Sequence, residues 1–126
     1  MKKILANKDS GFYEILGPIF GSREVQRETG DRFYDDAGKE WYIEVNKNRE
    51  VLAVVSVADG KIKNVYGKDL ECLEKLLKDV YYLTEISTVP GVYLDAYKKA
   101  GYTIEESGLK KFVKIKGGVI NGGIFL

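Results

Sequence analysis

Val51-Leu52-Ala53-Val54-Val55-Ser56-Val57-Ala58-Asp59-Gly60-Lys61-Ile62-Lys63-Asn64-Val65-Tyr66 is the stretch that decides the fold. Residues 51 to 58 are β-branched and almost continuously apolar, which predicts a central strand covered on both faces. Asp59-Gly60 is a hairpin signal, because both positions tolerate the left-handed backbone of a tight turn. Lys61 to Tyr66 then returns as the next strand. Upstream, Trp41 to Asn46 alternates large apolar and more polar residues, the pattern of a half-buried strand. Lys47-Asn48-Arg49-Glu50 turns the chain between them. Three antiparallel strands therefore stand at the centre.

Helical spacing flanks them on both sides. Leu70, Leu73, Leu76, Leu77 and Val80 fall on one helical face, with Asp69 as the natural cap. Tyr81 to Val89 reads as a further strand, stopped by Pro90-Gly91. Val92, Ala96, Tyr97 and Ala100 mark a last helix ending at Gly101. Thr103–Glu106 and Lys110–Lys116 close the sheet around Ser107-Gly108. On the N-terminal side, Lys3–Ala6 is a short strand, and Asp9 or Ser10 caps a helix that buries Phe12, Ile15 and Leu16. Gly17-Pro18 is expected to break that helix. A second helix starts at Ser22 and runs to Gly30. A polar connection, Asp31–Glu40, carries the turn-like run Asp35-Asp36-Ala37-Gly38.

The chain has 126 residues, 44% hydrophobic and 31% charged, and no internal repeat or linker. Residues 1–126 are expected to form a single α/β (α+β) domain with a central, mostly antiparallel mixed sheet flanked by helices. Residues 117–126, with four glycines, are expected to be a mobile or added edge tail. Twenty basic against nineteen acidic residues leave +1, so strong nucleic-acid binding by bulk charge is not expected. There is no histidine, which excludes Ser-His-Asp and Cys-His catalysis and His-ligated metal sites. Cys72 is the single cysteine, so no intrachain disulfide is expected and a cytoplasmic setting follows. Neither a signal peptide nor a membrane span is read from the sequence.

The element order, with Tyr97-Lys98-Lys99-Ala100-Gly101-Tyr102 at the end of the last helix, resembles the GNAT superfamily of acyl-CoA-dependent N-acetyltransferases. The resemblance covers about Phe12 to Lys116. It implies acetyl-CoA as donor and an amine as acceptor, the cofactor's pantetheine lying between a splayed fourth and fifth strand. Short phage-encoded relatives share the reduced frame, so a phage-type origin is the matching expectation. The family's loop of (Gln/Arg)-x-x-Gly-x-(Gly/Ala), whose amides hold the CoA pyrophosphate at a helix start, falls here on Val65, Tyr66, Gly67 and Lys68. Only one glycine of that pattern remains, and Asp69 as cap would compete with a phosphate for the helix amides. An asparagine common before the last helix is replaced by Val89-Pro90-Gly91.

By the same resemblance, Tyr97 would give a proton to the CoA sulfur. Glu85, in the predicted fifth strand, would take one from the amine, with Glu44 as the other candidate. Arg23 and Arg27 share a helix face and, with Arg32, Phe33, Tyr34 and Trp41, would border the acceptor. Cys72 sits at a helix start, where the dipole favours a thiolate, although a small core residue is the simpler assignment. Three functions stand open: an acetyltransferase, a catalytically inert module that binds a protein partner, and a nucleic-acid-directed protein. Edge-strand pairing into a homodimer through Gly117–Leu126 is a further expectation.

Overall fold

The computed structural model describes residues 1–35, 38–106 and 111–119. The elements run β1 (Lys2–Leu5), α1 (Phe12–Phe20), α2 (Arg23–Thr29), β2 (Glu40–Val45), β3 (Val51–Ala58), β4 (Lys61–Gly67), α3 (Leu70–Val80), β5 (Ile86–Pro90), α4 (Leu94–Lys99), β6 (Thr103–Glu106) and β7 (Phe112–Lys116). This is the α+β order read from the sequence. The expected single mixed sheet is split in two, however. One sheet runs β1-β2-β3-β4 and the other β5-β7-β6, and every ladder within them is antiparallel.

The apolar run of β3 is explained by its two covers. On one face Ala53, Val55 and Val57 join Leu73, Leu76, Leu77 and Val80 of α3, together with Val89, Val113 and Ile115 of the second sheet. On the other face Val51 and Val54 pack with Phe12, Leu16 and Val25 of α1 and α2 and with Trp41 and Ile43 of β2. Asp59 and Gly60 have φ of 54° and 73°, the paired left-handed residues whose twist matches an antiparallel hairpin. The first two helices do not reach β5 and β7 on their side. Ile86, Thr88, Lys114 and Lys116 are left exposed there, in register as Ile86–Lys116 and Thr88–Lys114.

Local chemistry explains most boundaries. Ser22 Oγ accepts from the Val25 amide at 3.1 Å and Gly30 closes α2 with φ 71°. Asp69 Oδ1 accepts from the Cys72 amide at 3.0 Å to start α3. Four expectations need correction. Gly11, in the left-handed region and with no side-chain bond, precedes α1, because Asp9 turns back to accept from the Ala6 amide at 2.7 Å. Pro18 lies inside α1. The carbonyl it deprives of a donor is that of Glu14, on the exposed face of the helix, where the loss costs least.

Tyr81–Leu83 forms a 3-10 turn rather than the start of a strand. Tyr81 is held edge-on against Tyr102 with ring centroids 5.1 Å apart. A second 3-10 turn, Gly91–Tyr93, shifts the phase ahead of α4, so Tyr93 rather than Val92 joins Ala96, Tyr97 and Ala100 in the core. The expected turn at Asp36-Ala37, the Ser107-Gly108 turn and the tail beyond Val119 lie outside the described residues.

Candidate functional site

The seam between the two sheets has a closed vertex and an end where the strands part. At the vertex the Glu85 amide donates to the Gly60 carbonyl at 2.8 Å, and the Ile62 amide donates to Ser87 Oγ at 2.9 Å. The two pairs advance in step, so β4 and β5 run in the same direction, yet beyond them no ladder joins the strands among the described residues. Glu85 is half-buried at this vertex, one residue before β5 rather than within it. The strand starts late because the 3-10 turn takes up Tyr81–Leu83.

At the parting end, Tyr93 spans the gap. It follows β5 by three residues, is 3% exposed, and donates to a Glu28 carboxylate oxygen on α2. The same hydroxyl faces the backbone amide of Gly67, the last residue of β4. Burial first, and then the Glu28 carboxylate, push the Tyr93 phenol far above its ordinary range. Tyr97 lies behind it, 0% exposed, with its hydroxyl donating to the Pro90 carbonyl at 2.7 Å. Burial raises its pKa strongly, with Tyr93 and Tyr102 adding to the effect. The Tyr97 hydroxyl, expected to serve a cofactor sulfur, here donates its proton to a backbone carbonyl in the buried interior.

The residues in place of the pyrophosphate loop do not fit that group. The Lys68 and Asp69 amides both donate to the Leu52 carbonyl at 2.9 Å. The Cys72 amide is taken by Asp69 Oδ1 at 3.0 Å, and the Leu73 amide by the Asp69 carbonyl at 3.0 Å. The Lys68 ammonium is paired with Glu50. The Cys72 amide holds the Asp69 carboxyl below its usual range, so a fixed negative charge occupies the helix start where an anion would sit. Val65 is sealed in the core, Tyr66 is half-buried, and a Cβ on Gly67 would meet Leu73 Cδ2 at 2.7 Å.

The expected acceptor residues separate. Phe33 and Trp41 are core residues, Trp41 being 0% exposed among Phe12, Phe20 and Phe33. Their aromatic surface is consumed by packing against α1, so they line no mouth. Tyr34 is 52% exposed, with the Arg32 guanidinium 5.6 Å from its ring centroid. Arg23 and Arg27 are exposed and line a shallow groove with Gln26, Gly30 and Lys111. Neither pairs with a carboxylate among the described residues. Glu44 binds the Met1 ammonium. The Cys72 thiol is pushed up, by burial and then by Asp69, which removes the thiolate that a helix start favours.

Two groups of residues were not singled out from the sequence. Ser56 and Asn64 face one another across β3 and β4 at a bulge. Ser56 Oγ donates to Asn64 Oδ1 at 2.7 Å, Lys39 Nζ donates to the same oxygen at 3.1 Å, and Asn64 Nδ2 donates to Asp31 Oδ2 at 3.1 Å. A serine in an apolar strand opposite an asparagine was the available signal. The second group lines a groove of about 830 Å³ on the uncovered face at the vertex, with Lys61, Lys63, Lys114 and Lys116 around Glu85, Ile86 and Thr88. No described helix is long and apolar enough to cross a membrane.

No protein-family model matches the chain, and no curated protein matches it. Among solved structures, an acetyltransferase of the GNAT family from Staphylococcus aureus Mu50 aligns with a TM-score of 0.52 at 12% identity, over 94% of this chain and 99% of that one. The split sheet, the paired helices on either side and this end-to-end superposition give the chain the GNAT fold.

Proposed function

We propose that the protein is acetyltransferase-like, with acetyl-CoA as the donor and an amine of a small molecule, a protein or a modified base as the acceptor. The observation that carries this reading is the seam. β4 and β5 touch at their starts and then part, leaving backbone groups that no ladder uses. Such groups are what an amide-bearing pantetheine arm pairs with. Glu85 keeps its assignment as the group that takes the acceptor's proton, supported by its half-buried place at the vertex. Tyr97 is assigned to packing. The whole chain is taken as one domain of phage type, in keeping with its short frame, and as cytoplasmic, in keeping with its single cysteine.

A second reading, an inert GNAT-fold module working through a protein partner, is favoured by one specific feature. The Lys68, Asp69, Cys72 and Leu73 amides around the start of α3 are taken within the chain, and Tyr93 stands at the parting end of the seam. Thiol release from acetyl-CoA in the presence of a panel of amines separates the two. Release that falls at least about tenfold in Glu85→Gln supports transfer with Glu85 as base. The absence of release, together with an unchanged melting temperature in acetyl-CoA, assigns the chain to the second reading.

A further inference from the structure

We infer that the lysine-lined groove at the vertex of the seam is a binding site for a small phosphate-bearing molecule. Ion pairs hold Lys2 to Asp79, Lys68 to Glu50, Lys78 to Glu74 and Arg49 to Glu14. Lys61, Lys63 and Lys116 are set apart by their convergence. They converge on one groove from β4 and β7, with β5 between them, and none forms an ion pair among the described residues. Lys114 also lines the groove, as does the carboxylate of Glu85. Like charges gathered in one groove repel one another, and a multivalent anion offsets that repulsion on binding.

The floor between them is suited to an organic body as well as to charge. Ile86 is 46% exposed beside the hydroxyl-bearing Thr88. The groove's volume falls in the range of small-molecule sites, and no aromatic side chain among the described residues lines it. A nucleic-acid strand, which relies on stacking platforms, is therefore the poorer match. Where the acyl-transfer reading holds, this ligand is the acceptor, its amine toward Glu85 and its phosphate on the lysines. That assignment rests on the reading above, whereas the binding itself rests on the groove alone.

Calorimetric titration with inorganic tripolyphosphate and with ATP tests it, using wild type, Lys61→Gln/Lys116→Gln and Arg23→Gln/Arg27→Gln. The expected result is saturable binding of both probes that weakens as chloride rises, drops at least about tenfold in the lysine variant and is retained in the arginine variant. ATP binding more tightly than tripolyphosphate would add the organic body to the site. The lysines are exposed, so their variants should melt with the wild type. No saturable binding to wild type, equal affinity in the lysine variant, or loss confined to the arginine variant overturns the proposal. Neither probe carries an acyl group, so failure here leaves acetyl transfer standing, and failure of acetyl transfer leaves this site standing.

Discussion

Where β4 and β5 part, three phenols are buried: Tyr93 bound to Glu28, Tyr97 to Pro90, and Tyr102 to the Leu77 carbonyl at 2.6 Å. Where the same strands meet, Lys61, Lys63 and Lys116 stand around a groove with no ion pair among the described residues. One end has its polar atoms satisfied by the protein, and the other leaves them for a ligand. In this chain Tyr93 and Tyr97 are packed at the parting end, and the lysine-lined groove lies at the vertex. The contrast teaches that a shared frame fixes where space can open, while single side chains decide whether it does.

The comparison is broken most severely at Tyr97. Tyr97→Ala should cost about 3–5 kcal/mol in urea unfolding, the range for deleting a buried aromatic, whereas Tyr97→Phe should cost about 1 kcal/mol through its single hydrogen bond. A cost near zero for both would mean that the parting end is not packed as described. Alkaline pH tests the same end without mutation. Tyr93, Tyr97 and Tyr102 are all raised above their ordinary value in the fold, so the unfolded chain loses protons first. Their contribution is whole below about pH 10 and declines as pH rises toward the folded values, by about 1.4 kcal/mol per unit for each phenol. Absorbance at ~295 nm should show these three silent until the chain unfolds. Titration of all nine tyrosines near pH ~10 in the folded protein would contradict their burial.

A smaller effect separates α2 from the seam. Tyr93→Phe keeps the ring and removes the bond to Glu28, and should cost about 2 kcal/mol, since a charged acceptor loses a donor in a part-buried place. If Glu28→Gln, which keeps an acceptor for Tyr93, retains most of the wild-type stability, the hydrogen bond itself is the link. Equal losses from Glu28→Gln and Tyr93→Phe would make the carboxylate charge the greater part.

Most of the frame was legible because its signals are local. Val51–Ala58 is apolar throughout, Asp59-Gly60 permits positive φ, and Ser22, Asp69 and Gly30 each satisfy a helix end from within a few residues. The departures came where tertiary contacts override local preference. Pro18 is carried inside a helix by the packing of its neighbours Leu16 and Ile19, and Tyr81–Leu83 has strand-forming residues yet turns to meet Tyr102. The site was less legible. The 3-10 turn at Gly91–Tyr93 shifts the phase by which buried residues are counted, so Tyr93 takes the core place that periodicity gives to Val92. Lys61-x-Lys63 and Lys114-x-Lys116 are visible as alternating pairs in the sequence. Their convergence across β5 depends on the fold alone, as does the meeting of Ser56, Asn64, Lys39 and Asp31.

The most direct test of the account is an acetyl-CoA melting titration of two proteins, one with Tyr93 and one with Tyr93→Ala. Both carry Lys61→Gln/Lys116→Gln so that the cationic groove does not hold the cofactor's phosphates. At about 100 times its dissociation constant a ligand adds about 2.7 kcal/mol, several degrees for a domain of this size. A shift of that order is expected with tyrosine at position 93, and a larger one with alanine, which widens the parting end beside Glu28. No shift with tyrosine would contradict acetyl-CoA as the donor, and equal shifts in the two proteins would contradict the claim that Tyr93 narrows the donor's path.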